Sequence, residues 1–308
     1  METACAIYKL AQERILLMDG AVGTYLRSID DSEMLPDIYN ITRPELVARV
    51  HNDYIHAGAD IITTNTINAN SLTREQGYMS ADLDAVNRAG VKIVRKCIDQ
   101  NTSQRNIFCA GSVGPTIRNI GLSNKDHYDQ LVGVYCRQIE PLVTGGVDIL
   151  LLETMINLPN AKAALDAAGK VFAKLKTEIP VWLSFAYPNR SGTPLSGEEI
   201  GDIIRGIVND NLIIVGVNCI DDFEGAKTTL KSIKDHKNLL LSFYPNAGLP
   251  DEQGSYPLKI EDWVEQIGEI CREGLLNIVG GCCGTTPEYI ERIAKHIGNF
   301  SPRPFMMR

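Results

Sequence analysis

Gly146-Val147-Asp148-Ile149-Leu150-Leu151-Leu152-Glu153-Thr154 joins a glycine, one polar residue and an unbroken apolar run that ends in a carboxylate. The same formula returns as Gly58-Ala59-Asp60-Ile61-Ile62 and as Gly274-Leu275-Leu276-Asn277-Ile278. A glycine can close a helix in the left-handed conformation, and a continuous apolar run suits a strand buried on both faces. The formula therefore marks a helix-to-strand junction in a parallel sheet. Apolar runs at 15–18, 59–63, 107–110, 147–152, 181–185, 213–217, 239–243 and 275–279 make eight candidate strands. Helical periodicity fills the intervals, as in Leu46, Val47, Val50, Tyr54 and Ile55. That helix has Thr42 and Glu45 at capping-box spacing before it, Pro44 at an early helical position and an expected end at Gly58. Eight such units predict an α/β chain closed into a (β/α)8 TIM barrel, and an open doubly wound sheet is the alternative that the same alternation allows. No Pro-, Gly- or Ser-rich stretch divides the chain, so a single domain is expected over residues 1–300. The stretch 301–308, with Pro302 and Pro304, reads as a tail or the start of an interdomain linker.

Composition excludes several classes of function. The chain has 308 residues, 44% hydrophobic and 22% charged, which is ordinary for a globular domain with a sizeable core. Thirty Lys and Arg against 38 Asp and Glu give a net charge of −8 with no basic stripe, so nucleic-acid binding is not expected. No apolar stretch of 18 residues occurs, so neither a membrane span nor an export signal is expected and the reading is a cytoplasmic protein. Eight cysteines are too sparse for a disulfide scaffold in a chain of this length.

A barrel draws its catalytic groups from the C-terminal ends of its strands and the loops that follow. Applied here, that rule collects Asp19, Thr64, Glu153, Cys219, Asn246, Cys282 and Cys283 at one mouth. Three thiolates could occupy three corners of a tetrahedral zinc site and leave the fourth open. Consecutive strand residues face opposite ways, so Cys282 and Cys283 can share an ion only where the backbone turns irregular, and Gly280, Gly281 and Gly284 permit that. Two other readings stand beside zinc. The thiols could be buried apolar groups, or the loop 280–286 before Pro287 could cradle a phosphate, as in a barrel aldolase or isomerase. Glu153 and Asp19 could be acids, ligands, caps or anchors for an ammonium group, and the Asp19 to Thr24 loop could hold a carboxylate on its N–H groups. Cys5, Cys97, Cys109, Cys136 and Cys271 fall away from the mouth and are expected to pack in the core. None of His51, His56, His127, His236 or His296 falls at a strand end, so no histidine base is expected.

The residues that define these strand ends also resemble a known family. The stretches are 18–24 (MDGAVGT), 58–66 (GADIITTNT), 111–116 (GSVGPT), 148–154 (DILLLET), 216–219 (GVNC), 244–250 (YPNAGLP) and 280–287 (GGCCGTTP). In order and placement they resemble the homocysteine S-methyltransferases, most closely the homocysteine-binding domain of cobalamin-dependent methionine synthases. The resemblance implies zinc on Cys219, Cys282 and Cys283, with the homocysteine sulfur in the fourth position and Asn246 filling it in the substrate-free state. It implies that Glu153, with Asp19 nearby, holds the substrate ammonium, that N–H groups around Gly20, Ala21 and Val22 take its carboxylate, and that Thr64 lines the pocket. The nucleophile would be the zinc-bound substrate thiolate, with no protein nucleophile. The run Pro245 to Pro250 and Gly284 resemble the enzymes whose donor is methylcobalamin, which would come from cobalamin-binding and folate-binding domains or subunits. Relatives that use another donor, such as S-methylmethionine, are the alternative. Val22 and Ile67 depart from the residues common in the family and put the shape of the pocket in question. A module that binds homocysteine without catalysis is a further reading of the same residues.

Overall fold

A computed structural model describes residues 2–30, 35–72, 82–103, 105–116, 125–187, 199–207 and 209–307. Its eight strands are β1 Leu16–Leu17, β2 Ile61–Thr63, β3 Phe108–Val113, β4 Ile149–Met155, β5 Val181–Phe185, β6 Leu212–Asn218, β7 Leu240–Tyr244 and β8 Ile278–Val279. Each pairs in parallel with its sequence neighbour from β2 to β8, and β8 pairs with β1. A parallel bridge between Met18 and Ile61 joins β1 to β2 and completes the ring. The chain is thus a single-domain (β/α)8 barrel, and the open sheet is excluded. Among the described residues, no helix is long and apolar enough to cross a membrane.

The junction formula has a physical cause beyond helix closure. Gly58, Gly146 and Gly274 take φ of +111°, +91° and +66°, turning the chain off the helix. The polar residue that follows then reaches the preceding strand of the ring. Asp60 Oδ2 accepts the Leu17 N–H at 2.9 Å, Asp148 Oδ2 accepts that of Cys109 at 2.8 Å, and Asn277 Oδ1 accepts that of Leu241 at 3.0 Å. Each pins register at the base of a strand pair and satisfies an N–H that would otherwise be buried unpaired. The capping-box expectation is corrected: Arg43, not Thr42, is the N-cap of the helix Pro44–Ala57, and no side chain caps it. The Thr42 hydroxyl donates instead to Ile38 O, because residues 39–42 already form a short helix that uses it.

Side-chain alternation along the strands divides interior from exterior. Phe108 and Ala110 on β3, Ile149 and Leu151 on β4, Trp182 on β5, Ile214 on β6 and Leu240 on β7 fill the barrel. The residues between them pack outward against the helices. Continuing the inward parity one step toward the mouth gives Ser112, Glu153, Ser184 and Ser242, and one step further on β7 gives Tyr244, all buried. The opposite end is shut by the helix Glu2–Glu13, whose Ile7, Tyr8 and Ala11 join the interior cluster. Phe305 stacks on Tyr8 there, and buried Arg303 donates to the carbonyls of Leu239, Lys234 and His236, so residues 301–307 lie against the base.

Candidate active site and metal centre

Three thiols meet where β6 and β8 end. Cys219 follows β6 in the left-handed region, at φ +55°, which a non-glycine residue adopts only when its surroundings hold it there. Its N–H donates to Tyr244 O at the end of the neighbouring β7. Beyond β8 the chain leaves the strand geometry, so Cys282 and Cys283 escape strict alternation. Cys282 N–H bonds Pro245 O, Ala247 N–H bonds Cys283 O, and Thr285 bonds Cys282 O through both its N–H and its hydroxyl. Gly284 closes the turn at φ +82°, where a Cβ would collide with the ring of Tyr256. The three sulfurs lie within 4.8 Å of one another, with Cys219 and Cys283 at 3.9 Å, and form the one cluster of this kind among the described residues.

The three thiols resist ionising together. The Cys283 thiol is drawn down to about 3 because Cys219 and Cys282 donate to it, with Tyr256 adding a third donor. Cys282 is pushed well up by its hydrogen bonds to Cys219 and Cys283 and by burial. Three adjacent thiolates require a cation, and the donor set suits a thiophilic metal ion. Asn246 supports that fit: it is buried, and its Oδ1 has no hydrogen-bond partner. Its N–H bonds Ile220 O, and the next N–H in the chain bonds Cys283 O, so the amide belongs to the wall around the sulfurs.

Beside the cluster a cavity of about 270 Å³ opens at the mouth. Gly20, Ala21, Val22, Thr64, Glu153, Cys282 and Cys283 line it, together with Ser112, Tyr244 and Asp37. Asp19 does not line it. That carboxylate is fully buried, accepts the Thr63 N–H at 2.8 Å and the Thr63 hydroxyl at 3.0 Å, and so ties β1 to β2. Burial lifts Asp19 to about 8 against the pull of those hydrogen bonds, and lifts Glu153 to about 7 against its bond from Ser112. Opposite Glu153, the helix Val22–Ile29 begins at the cavity wall. The Ala21 N–H is already spent on the Thr285 hydroxyl, so the donors left without an intrahelical acceptor are those of the first turn, Val22 to Thr24. A carboxylate on one wall and a helix N-terminus on the other match the two ends of an amino-acid zwitterion.

The model for the homocysteine S-methyltransferase family matches residues 16–297. The chain belongs to this family. A solved structure similar to this methyltransferase is the metallated homocysteine methyltransferase MmuM of Escherichia coli, 24% identical, covering 94% of this chain and 98% of that one at a TM-score of 0.72. The apo form of the same protein is 23% identical, with coverage of 92% and 96% and a TM-score of 0.66. The carboxyl transferase domain of Rhizobium etli pyruvate carboxylase, 12% identical over 96% of this chain and 50% of that one, shares the barrel at a TM-score of 0.52. At these identities the structures speak for the fold alone.

The phosphate-cradle reading of the methyltransferase loop 280–286 is corrected by its hydrogen bonds. The N–H groups of Gly280, Gly281, Cys282, Gly284 and Thr285 donate to Phe243 O, Asp19 O, Pro245 O, Thr24 Oγ1 and Cys282 O, so no two neighbouring amides of the loop are left to form a nest for an anion. Cys97, Cys109 and Cys271 are buried as expected and Cys136 is half-buried, but Cys5 is exposed on the helix that shuts the base. Sequence reasoning missed Ser112, Tyr244 and Tyr256. The first two share the inward parity of Glu153 and could have been found by counting in twos from the strand interiors. Tyr256 sits in the loop after β7, and no local pattern brings it to Gly284. Also missed was Asn218, which accepts the Thr154 N–H at 3.1 Å and donates to the Thr154 hydroxyl at 2.8 Å. These bonds hold Thr154 at φ +59°, directly after Glu153.

Proposed function

We propose that the protein is a zinc-dependent homocysteine S-methyltransferase that converts homocysteine to methionine. The observation that carries this reading is the cluster of Cys219, Cys282 and Cys283 at the edge of a cavity whose other walls suit an amino acid. Zinc held by these three thiolates supplies a position where a substrate thiol, of pKa about 8.5 when free, loses its proton without a protein base. The chain's own residues do the rest. Glu153 takes the ammonium, the first turn of Val22–Ile29 takes the carboxylate, and Asp19 holds the wall between them through Thr63 rather than touching substrate. Asn246, whose buried Oδ1 has no hydrogen-bond partner, would fill the open position in the substrate-free state. No protein side chain acts as nucleophile: the homocysteine thiolate attacks the methyl carbon in line, and the bond to the donor breaks with its electron pair remaining on the donor. The product is a neutral thioether, a weaker ligand that can leave.

The donor we propose is methylcobalamin, presented by a separate cobalamin-binding domain or chain that works with a folate-binding one. Its support is the resemblance in Pro245 to Pro250 and Gly284. Three ligating thiols must stay reduced, which fits a cytoplasmic setting. The test is metal content with homocysteine titration under reducing conditions, followed by turnover with methylcobalamin and with S-methylmethionine in parallel. One zinc per chain and one proton released per homocysteine bound are expected, with methyl transfer from methylcobalamin. A metal-free reduced protein that binds homocysteine unchanged would overturn the zinc mechanism, and turnover with S-methylmethionine alone would overturn the donor.

A further inference from the structure

We infer that Ser112 is the positioning residue for substrate ammonium binding, and that Thr64 and Thr66 serve it as a clamp rather than as substrate contacts. The inference rests on the homocysteine site proposed above and assigns the hydroxyl groups of its wall.

A serine or threonine hydroxyl has one proton to give, so the direction of each bond can be worked out. Thr66 Oγ1 donates to Ser112 O at 2.7 Å, which spends its proton. In the Thr64–Thr66 hydroxyl pair, 2.6 Å apart, Thr64 must therefore be the donor. Thr64 Oγ1 in turn accepts the Ser112 N–H at 3.0 Å. The result is a closed ring, Ser112 N–H to Thr64, Thr64 to Thr66, and Thr66 to Ser112 O. It grips the peptide units on both sides of Ser112 and leaves the Thr64 hydroxyl with no proton for a ligand.

The clamped residue has its own proton free for one partner. The Ser112 hydroxyl donates to Glu153 Oε1 in an otherwise closed wall. Glu153 Oε2 has no bond to another described residue, and the side chain borders the cavity. Ser112 thus ties one carboxylate oxygen and presents the other. A buried carboxylate free to rotate would have to be ordered when substrate binds, and one already held does not. Specificity for an α-amino thiol follows, because the presented oxygen is matched only by a cation at that point.

The experiment is equilibrium titration of the zinc-loaded protein by calorimetry with two ligands, homocysteine and 4-mercaptobutyrate, which lacks only the amino group. Ser112→Ala is expected to weaken homocysteine about tenfold, the size of a hydrogen bond to a charged group, and to change 4-mercaptobutyrate less than about twofold. In a Glu153→Gln background the same substitution is expected to cost no further homocysteine affinity beyond about twofold. Equal weakening of both ligands, or a full additional loss in the Glu153→Gln background, would show a merely structural role and overturn the inference while leaving the homocysteine site standing. Unmodified protein that binds neither ligand would overturn the site itself, and the role of Ser112 with it.

Discussion

At the base of the barrel Asp60, Asp148 and Asn277 each accept an N–H from the neighbouring strand, and Arg303 is buried against three carbonyls. At the mouth the polar groups are left in tension: Asn246 Oδ1 is buried without a partner, three thiols crowd within 4.8 Å of one another, and Thr154 and Cys219 sit in the left-handed region. Both ends bury polar groups, and the difference lies in whether the protein completes their bonding. Where it does, they set register and stability. Where it does not, they await a ligand, and the strain is held by the surrounding network.

That contrast can be broken by substitution at either end. The largest effect belongs to the thiols: Cys283→Ser is expected to lose the metal and lower methyl transfer by at least about two orders of magnitude, with melting still cooperative, as read by metal analysis and turnover. Cys5→Ser, at the other end, is expected to leave metal content unchanged. Glu153→Gln comes next. Removing the charge is expected to weaken homocysteine by about 2 kcal/mol, roughly thirtyfold, in titration, and unchanged affinity would show that the mouth does not read the ammonium.

At the base, Arg303→Ala is expected to cost about 2 kcal/mol of stability in denaturant melts and to leave kcat/KM within about twofold, since it strips partners from buried carbonyls far from the cavity. A loss of activity without a loss of stability would erase the distinction between the ends. The smallest effect concerns pH. Asp19 titrates near 8 in the folded chain through burial and near 4 when unfolded, so between these values the folded state holds a proton that the unfolded state has released. Stability of the metal-free protein should then fall as pH rises from about 4 to 8. Asp19→Asn is expected to flatten that slope by up to about 1.4 kcal/mol per pH unit, measured by urea melts at several pH values.

Legibility followed locality. The helix closures at Gly58, Gly146 and Gly274 and the eight apolar runs are local signals, and the strands stand where those runs lie. The strand-end rule also brought Cys219, Cys282, Cys283, Thr64 and Glu153 to one mouth. The capping-box expectation failed at Thr42, because a short helix before Pro44 had already claimed its hydroxyl, and the strand-end rule said nothing about which way the Asp19 carboxylate would turn. Ser112 and Tyr244 were readable in principle from the period of two, but continuous apolar strands hide parity, since both faces are buried.

The sequence by itself determined the order of elements, the parallel strand alternation and the family of the chain, because helix closure, strand burial and motif order are written in consecutive residues. Only the tertiary structure decided which polar groups are spent and which are free. It paired Asp19 with Thr63, turned the loop amides of 280–286 inward, closed the hydroxyl ring on Ser112 and left Asn246 Oδ1 without a partner. Hydrogen-bond capacity is settled between residues far apart in the chain, by distances that exist only once the barrel has closed.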